Sequence, residues 1–232
     1  MVRIAVVIHD PEDGVGGLAS HLAAHEVVDV WPPDGEFPGD VDAAIVLGGF
    51  MGAYDTTEYP WLEDEKKWIA ALVERDVPVL GICLGSQLIA DALGGRAYLA
   101  PLPEVGVVEM ELTPAGRDHQ VVGGLGRHAL FAHQDTFDLP PGATLLATTS
   151  AYPTVFELGS ALAIQSHPET PSDEALTWPE HPQFDMLERV GLDPGDYADQ
   201  VKGHADELAA GAEAAFRAWF SGLGEEAIGR PR

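Results

Sequence analysis

With 232 residues, 46% of them hydrophobic, the chain can build one sizeable core, while 12 basic residues against 38 acidic ones leave a net charge of −26 that disfavours nucleic-acid binding through phosphate neutralisation. A single cysteine excludes an intrachain disulfide framework; no apolar run approaches the roughly 20 residues of a membrane span; and His9, Asp10 and Pro11 interrupt the apolar start too early for a signal peptide, so a cytoplasmic location is expected. Three lysines and many carboxylates suit a high-salt cytoplasm or simply a very acidic cytosolic protein.

Residues 2–8 are continuously apolar, the pattern of a buried parallel strand. Gly14, Gly16 and Gly17 follow, matching neither the dinucleotide nor the P-loop fingerprint, so they read as a loop turning into a helix over 18–24 rather than as a phosphate cradle. His21 and His25 have the i, i+4 spacing of a metal pair on that helix, but no third ligand accompanies them, so a solvated face and no metal are expected. A second strand is predicted over 27–31, a Pro/Gly-rich loop over 32–39, and a third strand over 41–47 that ends in Gly48-Gly49-Phe50-Met51-Gly52. Open α/β sheets place ligand loops at the carboxyl ends of such strands, and this one can offer a backbone N–H to an oxyanion; a plain tight turn is the other reading. Residues 59–75 read as a helix, with Pro60 near its start and Trp61, Trp68, Ile69, Leu72 and Val73 as its apolar stripe.

The next stretch, Pro78-Val79-Leu80-Gly81-Ile82-Cys83-Leu84-Gly85-Ser86-Gln87-Leu88, changes from strand to helical spacing at Leu84, and the helix is stopped by Gly94-Gly95. The only cysteine sits at the change, with Gly81 and Gly85 two residues to either side. That is the nucleophile-elbow pattern with sulfur in place of oxygen. A thiol at a helix start lies beside unpaired N–H groups and the positive end of the helix dipole, which favour the attacking thiolate, and the N–H of Leu84 points where an oxyanion would develop. A small buried hydrophobe is the bland alternative for a lone cysteine.

After Arg96 the predicted strands shorten, to 105–112, 128–133, 143–149 and 154–157, before another apolar strand over 160–165 and then Ser166-His167-Pro168-Glu169. In an extended segment residues two apart point to one side, so Glu169 is expected to orient the His167 imidazole, and His167 to take a proton from Cys83. From Ser172 the chain reads as helical pieces broken at Pro179, Pro182 and Pro194. Tyr197, Val201, Leu208, Ala212, Phe216 and Trp219 give the long last helix one packing face. Strands alternating with helices in the first half predict a doubly wound, mostly parallel α/β sheet flanked by helices, with a small antiparallel addition.

Together the cysteine elbow, Val46-Leu47-Gly48-Gly49, Tyr59-Pro60-Trp61-Leu62, Asp135-Thr136-Phe137-Asp138-Leu139-Pro140 and Gln165-Ser166-His167-Pro168-Glu169 resemble the class I glutamine amidotransferases, in particular stand-alone members similar to the glutaminase domain of GMP synthase. The resemblance covers nearly the whole chain and implies one flavodoxin-like amidotransferase domain over 1–232, with a helical C-terminal extension over about 172–221. It implies a Cys83, His167 and Glu169 triad, an oxyanion hole from the backbone of Gly49 and Leu84, and substrate contacts from Met51, Gln87, Gln134 and Asp135. The implied reaction is hydrolysis of the γ-carboxamide of glutamine through a cysteine thioester, with no cofactor or metal. The implied partners are a small-molecule substrate and a separate synthetase subunit that takes the ammonia. The chain lacks both a Ser-Gly-Gly-x-Asp-Ser pyrophosphatase loop and a P-loop, so no ATP-dependent activation of an acceptor is expected.

Phe50 stands where relatives have Pro, which adds a backbone N–H, and Gln134 stands where relatives commonly have Gly, which is expected to fill space at the substrate's amino-acid end. Gln134 brings in a second enzyme reading, a stand-alone γ-glutamyl peptidase or hydrolase. A non-catalytic binding or regulatory protein on the same fold is the reading from another class.

Overall fold

The computed structural model describes residues 1–10, 14–181 and 184–229. Strand β1 (Arg3–Val7) sends Ile4 and Val6 into one apolar cluster and Ala5 and Val7 into another, so both of its faces need cover. The chain continues through a 3-10 turn (Gly16–Leu18) into α1 (Ala19–Leu22), then β2 (Glu26–Val30), β3 (Ala43–Val46), α2 (Trp61–Glu74), β4 (Val79–Ile82) and α3 (Leu84–Ala92). After these come β5 (Arg96–Glu109), β6 (Glu111–Leu112), α4 (Pro114–Asp118), β7 (His128–Asp138), β8 (Thr144–Thr148), β9 (Pro153–Leu158) and β10 (Ala161–Ile164). Helices α5 (Ser172–Ala175), α6 (Met186–Val190) and α7 (Pro194–Gly229) complete it.

The main sheet runs β2-β1-β3-β4-β10-β9-β8-β6; its first five strands are parallel, and β9, β8 and β6 join antiparallel. Strands β5 and β7 form a separate antiparallel ribbon. The architecture is therefore the doubly wound, mostly parallel sheet with an antiparallel addition that the alternation of elements predicts.

On one face α2 and α3 bury Leu62, Ile69, Leu72, Leu88 and Ile89 against Ala5, Val46 and Val79. Each such side chain contributes about 1.5–3 kcal/mol when fully removed from water. On the other face Leu18, Leu22, Phe216, Trp219 and Phe220 cover Ile4, Ile45 and Ile164. Tyr197 and Val201, at the start of α7, pack instead with Val105, Leu130 and Leu187 in a third cluster, and the Tyr197 hydroxyl donates to the Ala175 carbonyl at 2.8 Å. The last helix thus presses one face on two parts of the body.

Three expectations change. The strand expected at 105–112 begins at Arg96, because Pro101 and Pro103 fall where the β5–β7 register slips between Leu99 and Glu104, a position where lost ladder donors are tolerated. The helix expected at 18–24 is one turn of α-helix after the 3-10 turn. Only His21 lies on it, and His21 and His25 do not form a solvated helix face: both rings lie against Phe220, at 5.2 and 5.5 Å between centroids, and His21 Nε2 meets Glu213 at 3.0 Å. Glu180 closes a 3-10 turn containing Pro179, and α7 starts at Pro194, whereas Pro11 and Pro182 lie outside the described residues. No helix among the described residues is long and apolar enough to cross a membrane.

Candidate active site

The carboxyl ends of β1, β3, β4 and β10 open side by side, the place where a parallel sheet presents its loops to a ligand. Cys83 is the hinge between β4 and α3. Its φ of 51° and ψ of −110° are rare for a residue with a Cβ and cost about 1–3 kcal/mol, which the surroundings must over-determine. They do so by contact. A Cβ on Gly81 would stand 2.5 Å from the Gly85 carbonyl oxygen, and one on Gly85 would stand 2.0 Å from the Val46 carbonyl oxygen. The Cys83 N–H donates to the Ile164 carbonyl at 2.9 Å, and its own carbonyl accepts from the Ser86 hydroxyl at 2.6 Å. Leu84 is the first residue of α3, so its N–H belongs to the helical turn whose donors have no intrahelical acceptor.

His167 follows β10, its N–H donating to the Leu130 carbonyl at 2.8 Å. Its Nδ1 lies 2.8 Å from Glu169 Oε1. Since the carboxylate only accepts, Nδ1 carries the proton and Nε2 is left for Cys83. Nε2 is buried without a hydrogen-bonded partner among the described residues. Burial pulls the proton affinity of His167 down, but the charge of Glu169 and then that of Cys83 outweigh it and hold its pKa well above the ordinary histidine value. The segment is a turn rather than extended: Pro168 bends the chain, and the Thr170 N–H returns to the His167 carbonyl at 3.4 Å.

The glycines after β1 explain themselves here. The Gly17 N–H donates to the Glu169 carbonyl at 2.7 Å, and a Cβ on Gly16, where φ is +49°, would fall 2.0 Å from that same oxygen. They are a cradle for a backbone carbonyl, which fixes the carboxylate that holds the imidazole.

Across the opening, a Cβ on Gly48 would come within 3.6 Å of Cys83 Cβ and 3.4 Å of His167 Cε1, so this loop roofs the sulfur. Gly49, Met51, Gln87, Gln134 and Asp135 line one cavity of about 610 Å³ with Cys83, His167 and Glu169. Leu84 does not line it with its side chain, which packs under Gly49. Gln87 Nε2 donates to the Asp135 carbonyl and to Gln165 Oε1, both at 3.2 Å, which engages both of its N–H groups within the protein. Gln134 Oε1 accepts from Arg189 of α6 at 3.0 Å. Asp135 accepts from the Tyr54 hydroxyl at 2.7 Å, and burial, only partly offset by that bond, raises its pKa.

Four further features carry no local motif. Phe50 stacks on His181 at 4.9 Å, Trp178 and His167 meet edge to face at 5.2 Å, Tyr54 caps Asp135, and a buried His9–Glu65 pair lies behind the glycine loop. The signal for His9 was its place at the carboxyl end of a buried strand, one strand from Gly48. Among the described residues one group stands close enough to share a metal ion, His128, His204 and Glu207; none of it lines the cavity. There Glu207 already accepts from His128 and two backbone N–H groups.

Residues 20–179 match the family model described as glutamine amidotransferase class-I. The chain is 36% identical, over 55% of its length, to a glutamine-hydrolysing GMP synthase of Aeropyrum pernix, but spans only 24% of that protein. It is 34% identical to the imidazole glycerol phosphate synthase subunit HisH of Symbiobacterium thermophilum, covering 76% of this chain and 91% of that one. Among solved structures, a glutamine amidotransferase from Thermotoga maritima superposes with a TM-score of 0.80 at 27% identity, over 94% of this chain and 97% of the other.

Proposed function

The chain belongs to the glutamine amidotransferase class-I family, and from that premise we propose that it hydrolyses the γ-carboxamide of glutamine, or of a related γ-glutamyl amide, on Cys83. The observation that carries this reading is the strained Cys83 elbow opposite a His167 whose Nδ1 is held by Glu169. The Cys83 sulfur attacks the carboxamide carbon, and the N–H groups of Gly49 and Leu84 receive the oxyanion. His167 gives a proton to the nitrogen as the C–N bond breaks, releasing ammonia and leaving a γ-glutamyl thioester. Water, deprotonated by the same imidazole, then releases glutamate and restores the thiol. We read residues 1–232 as one glutaminase domain, working in the cytoplasm without a cofactor, with its helical extension closing the substrate side.

The ammonia goes to a separate acceptor-activating subunit in this reading. HisH is by name a subunit of a synthase, and GMP synthase is by name glutamine-hydrolysing, which supports the assignment of both the amide donor and a partner. Purified protein should release ammonia and glutamate in equal amounts from glutamine, and Cys83→Ala should release neither. Equal background from both, with and without cell extract to supply a partner, would remove the reading.

A second reading, a γ-glutamyl peptidase that works alone, is favoured by the cavity. At about 610 Å³, with Phe50, Trp178 and Phe184 on its walls, it falls within the ~300–1,000 Å³ range of sites that enclose drug-sized ligands. Faster turnover of γ-glutamyl dipeptides than of glutamine would select it.

A further inference from the structure

Glu65 is the one charged residue on the buried stripe of α2, fully removed from solvent among Leu62, Trp68, Ile69 and Leu72. A carboxylate there is costly unless it is paired. Its partner is His9, also buried, whose Nε2 lies 3.1 and 3.2 Å from the two carboxylate oxygens and whose ring stacks on Trp61 at 5.7 Å. The other ring nitrogen, Nδ1, lies 3.0 Å from the Gly48 carbonyl oxygen. Nδ1 faces a carbonyl, which only accepts, so Nδ1 carries a proton; with Glu65 as a carboxylate Nε2 carries one too, and the ring is then an imidazolium. Burial alone would strip that proton, but the charge of and hydrogen bond to Glu65, with the carbonyls of Gly48 and Leu47, outweigh it and raise the pKa of His9.

What the imidazolium grips is the peptide between Gly48 and Gly49. Gly49 must be glycine, because a Cβ would stand 2.8–2.9 Å from Met51 Sδ, His9 Cβ and Leu84 Cδ2. Two glycines in succession leave that peptide free to rotate, and Phe50 does not restrain the next φ as a proline would. The peptide is trans, so its carbonyl and the Gly49 N–H point in opposite directions. His9 holds the carbonyl from behind, and the N–H is directed to the other side, where Gly48 and Gly49 line the cavity and His9 does not.

We propose that His9, held by Glu65, is the positioning residue that fixes the Gly48–Gly49 peptide so that the Gly49 N–H faces Cys83 as an oxyanion donor. This rests on the hydrolase reading of the site. The charged grip on the carbonyl also polarises the peptide, strengthening its N–H as a donor.

Removing His9 alone would leave Glu65 buried and unpaired, so the test uses two double variants. His9→Leu/Glu65→Leu replaces the pair with apolar groups. His9→Asn/Glu65→Leu differs from it by an amide N–H at the same distance along the side chain as Nδ1. The Leu/Leu variant should lose about 10²-fold in kcat with KM little changed, the scale of one lost oxyanion donor, and the Asn/Leu variant should recover at least about tenfold of it. Alkylation of Cys83 by iodoacetamide, in which the sulfur displaces iodide and no oxyanion forms, should proceed at near wild-type rate in both. An unchanged kcat in Leu/Leu, an equal loss in both variants, or alkylation falling in step with kcat would overturn the proposal. Crystal structures of the wild type and Leu/Leu settle it without turnover: a rotated Gly48–Gly49 peptide is expected in the variant, and an unrotated one refutes the role of His9. Absence of amide hydrolysis by the wild type would count against the hydrolase reading instead, and the peptide orientation would still decide this one.

Discussion

The floor and the cover of the cavity are built by opposite means. The floor, at Cys83, is backbone against backbone: Gly81, Gly85 and Gly16 each approach a carbonyl oxygen more closely than any side chain permits. The cover, from Phe50, the residues that follow α5 as far as His181, and Arg189 of α6, is side chain against side chain: Phe50 on His181, Trp178 on His167, Arg189 on Gln134. Close-packed backbone has one arrangement, whereas stacked rings and a half-exposed arginine can be exchanged one by one. In the hydrolase reading proposed above, reaction geometry then falls to the part that tolerates no change, and ligand choice to the part that does.

That contrast breaks most clearly at Glu169. Glu169→Gln should lower kcat/KM by about 10²–10⁴-fold, the scale of a general acid–base contribution, because an amide can turn an N–H toward Nδ1 and select the wrong tautomer. The pH profile carries the sign. Burial lowers the pKa of His167, Glu169 and Cys83 raise it, and the net position is well above the ordinary value. The imidazolium proton is therefore expected to survive to higher pH than on an ordinary histidine, and the alkaline fall in kcat/KM marks the loss of the donor to the leaving ammonia. Without the Glu169 charge, burial is opposed by Cys83 alone, so that alkaline limb should move to lower pH. A mutant limb at the wild-type position would show that Glu169 does not set the imidazole.

Gly85→Ala comes next. The added methyl would meet the Val46 carbonyl oxygen, which belongs to a central strand and has nowhere to retreat, so a destabilisation at or above about 3 kcal/mol is expected by denaturant unfolding. A loss under about 1 kcal/mol would mean the elbow is looser than its contacts indicate. The smallest effect belongs to the cover. Phe50→Ala removes one exposed ring stack, worth about 0.5–1.5 kcal/mol. It should raise KM up to about tenfold with kcat within about twofold. A fall in kcat with KM unchanged would place Phe50 in the reaction geometry and erase the division between floor and cover.

Cys83, His167 and Glu169 were legible because each sits in a short local pattern at the end of an apolar strand, and chain order alone brings such ends together in a parallel sheet. An extended segment would place Glu169 on the side of His167, but it is a turn at Pro168 that delivers the contact. The glycines after β1 stood out in the sequence, but their reason, the Glu169 carbonyl, lies in a distant segment. His9 and Glu65 form a pair across 56 positions, and no periodicity links them. A carboxylate on the inner side of α2 was the available clue. The cover was the least legible part, since short helical turns around prolines leave no repeating apolar stripe to read.

Strand β10 lies between β4 and β9 in space, but it is among the last strands to be made. As the chain leaves the ribosome, β1, β3, β4 and α3 can assemble early, since their contacts are among the first hundred residues. Until Ala161–Ile164 emerges, β4 keeps an open parallel edge, the Cys83 N–H lacks the Ile164 carbonyl, and His167 does not yet exist to meet the sulfur. Long-range parallel pairing of this kind closes slowly. The order of synthesis therefore separates Cys83 from its surroundings: the thiol is made well before the strand and the histidine that flank it in the fold, and a prematurely terminated chain carries the cysteine without either.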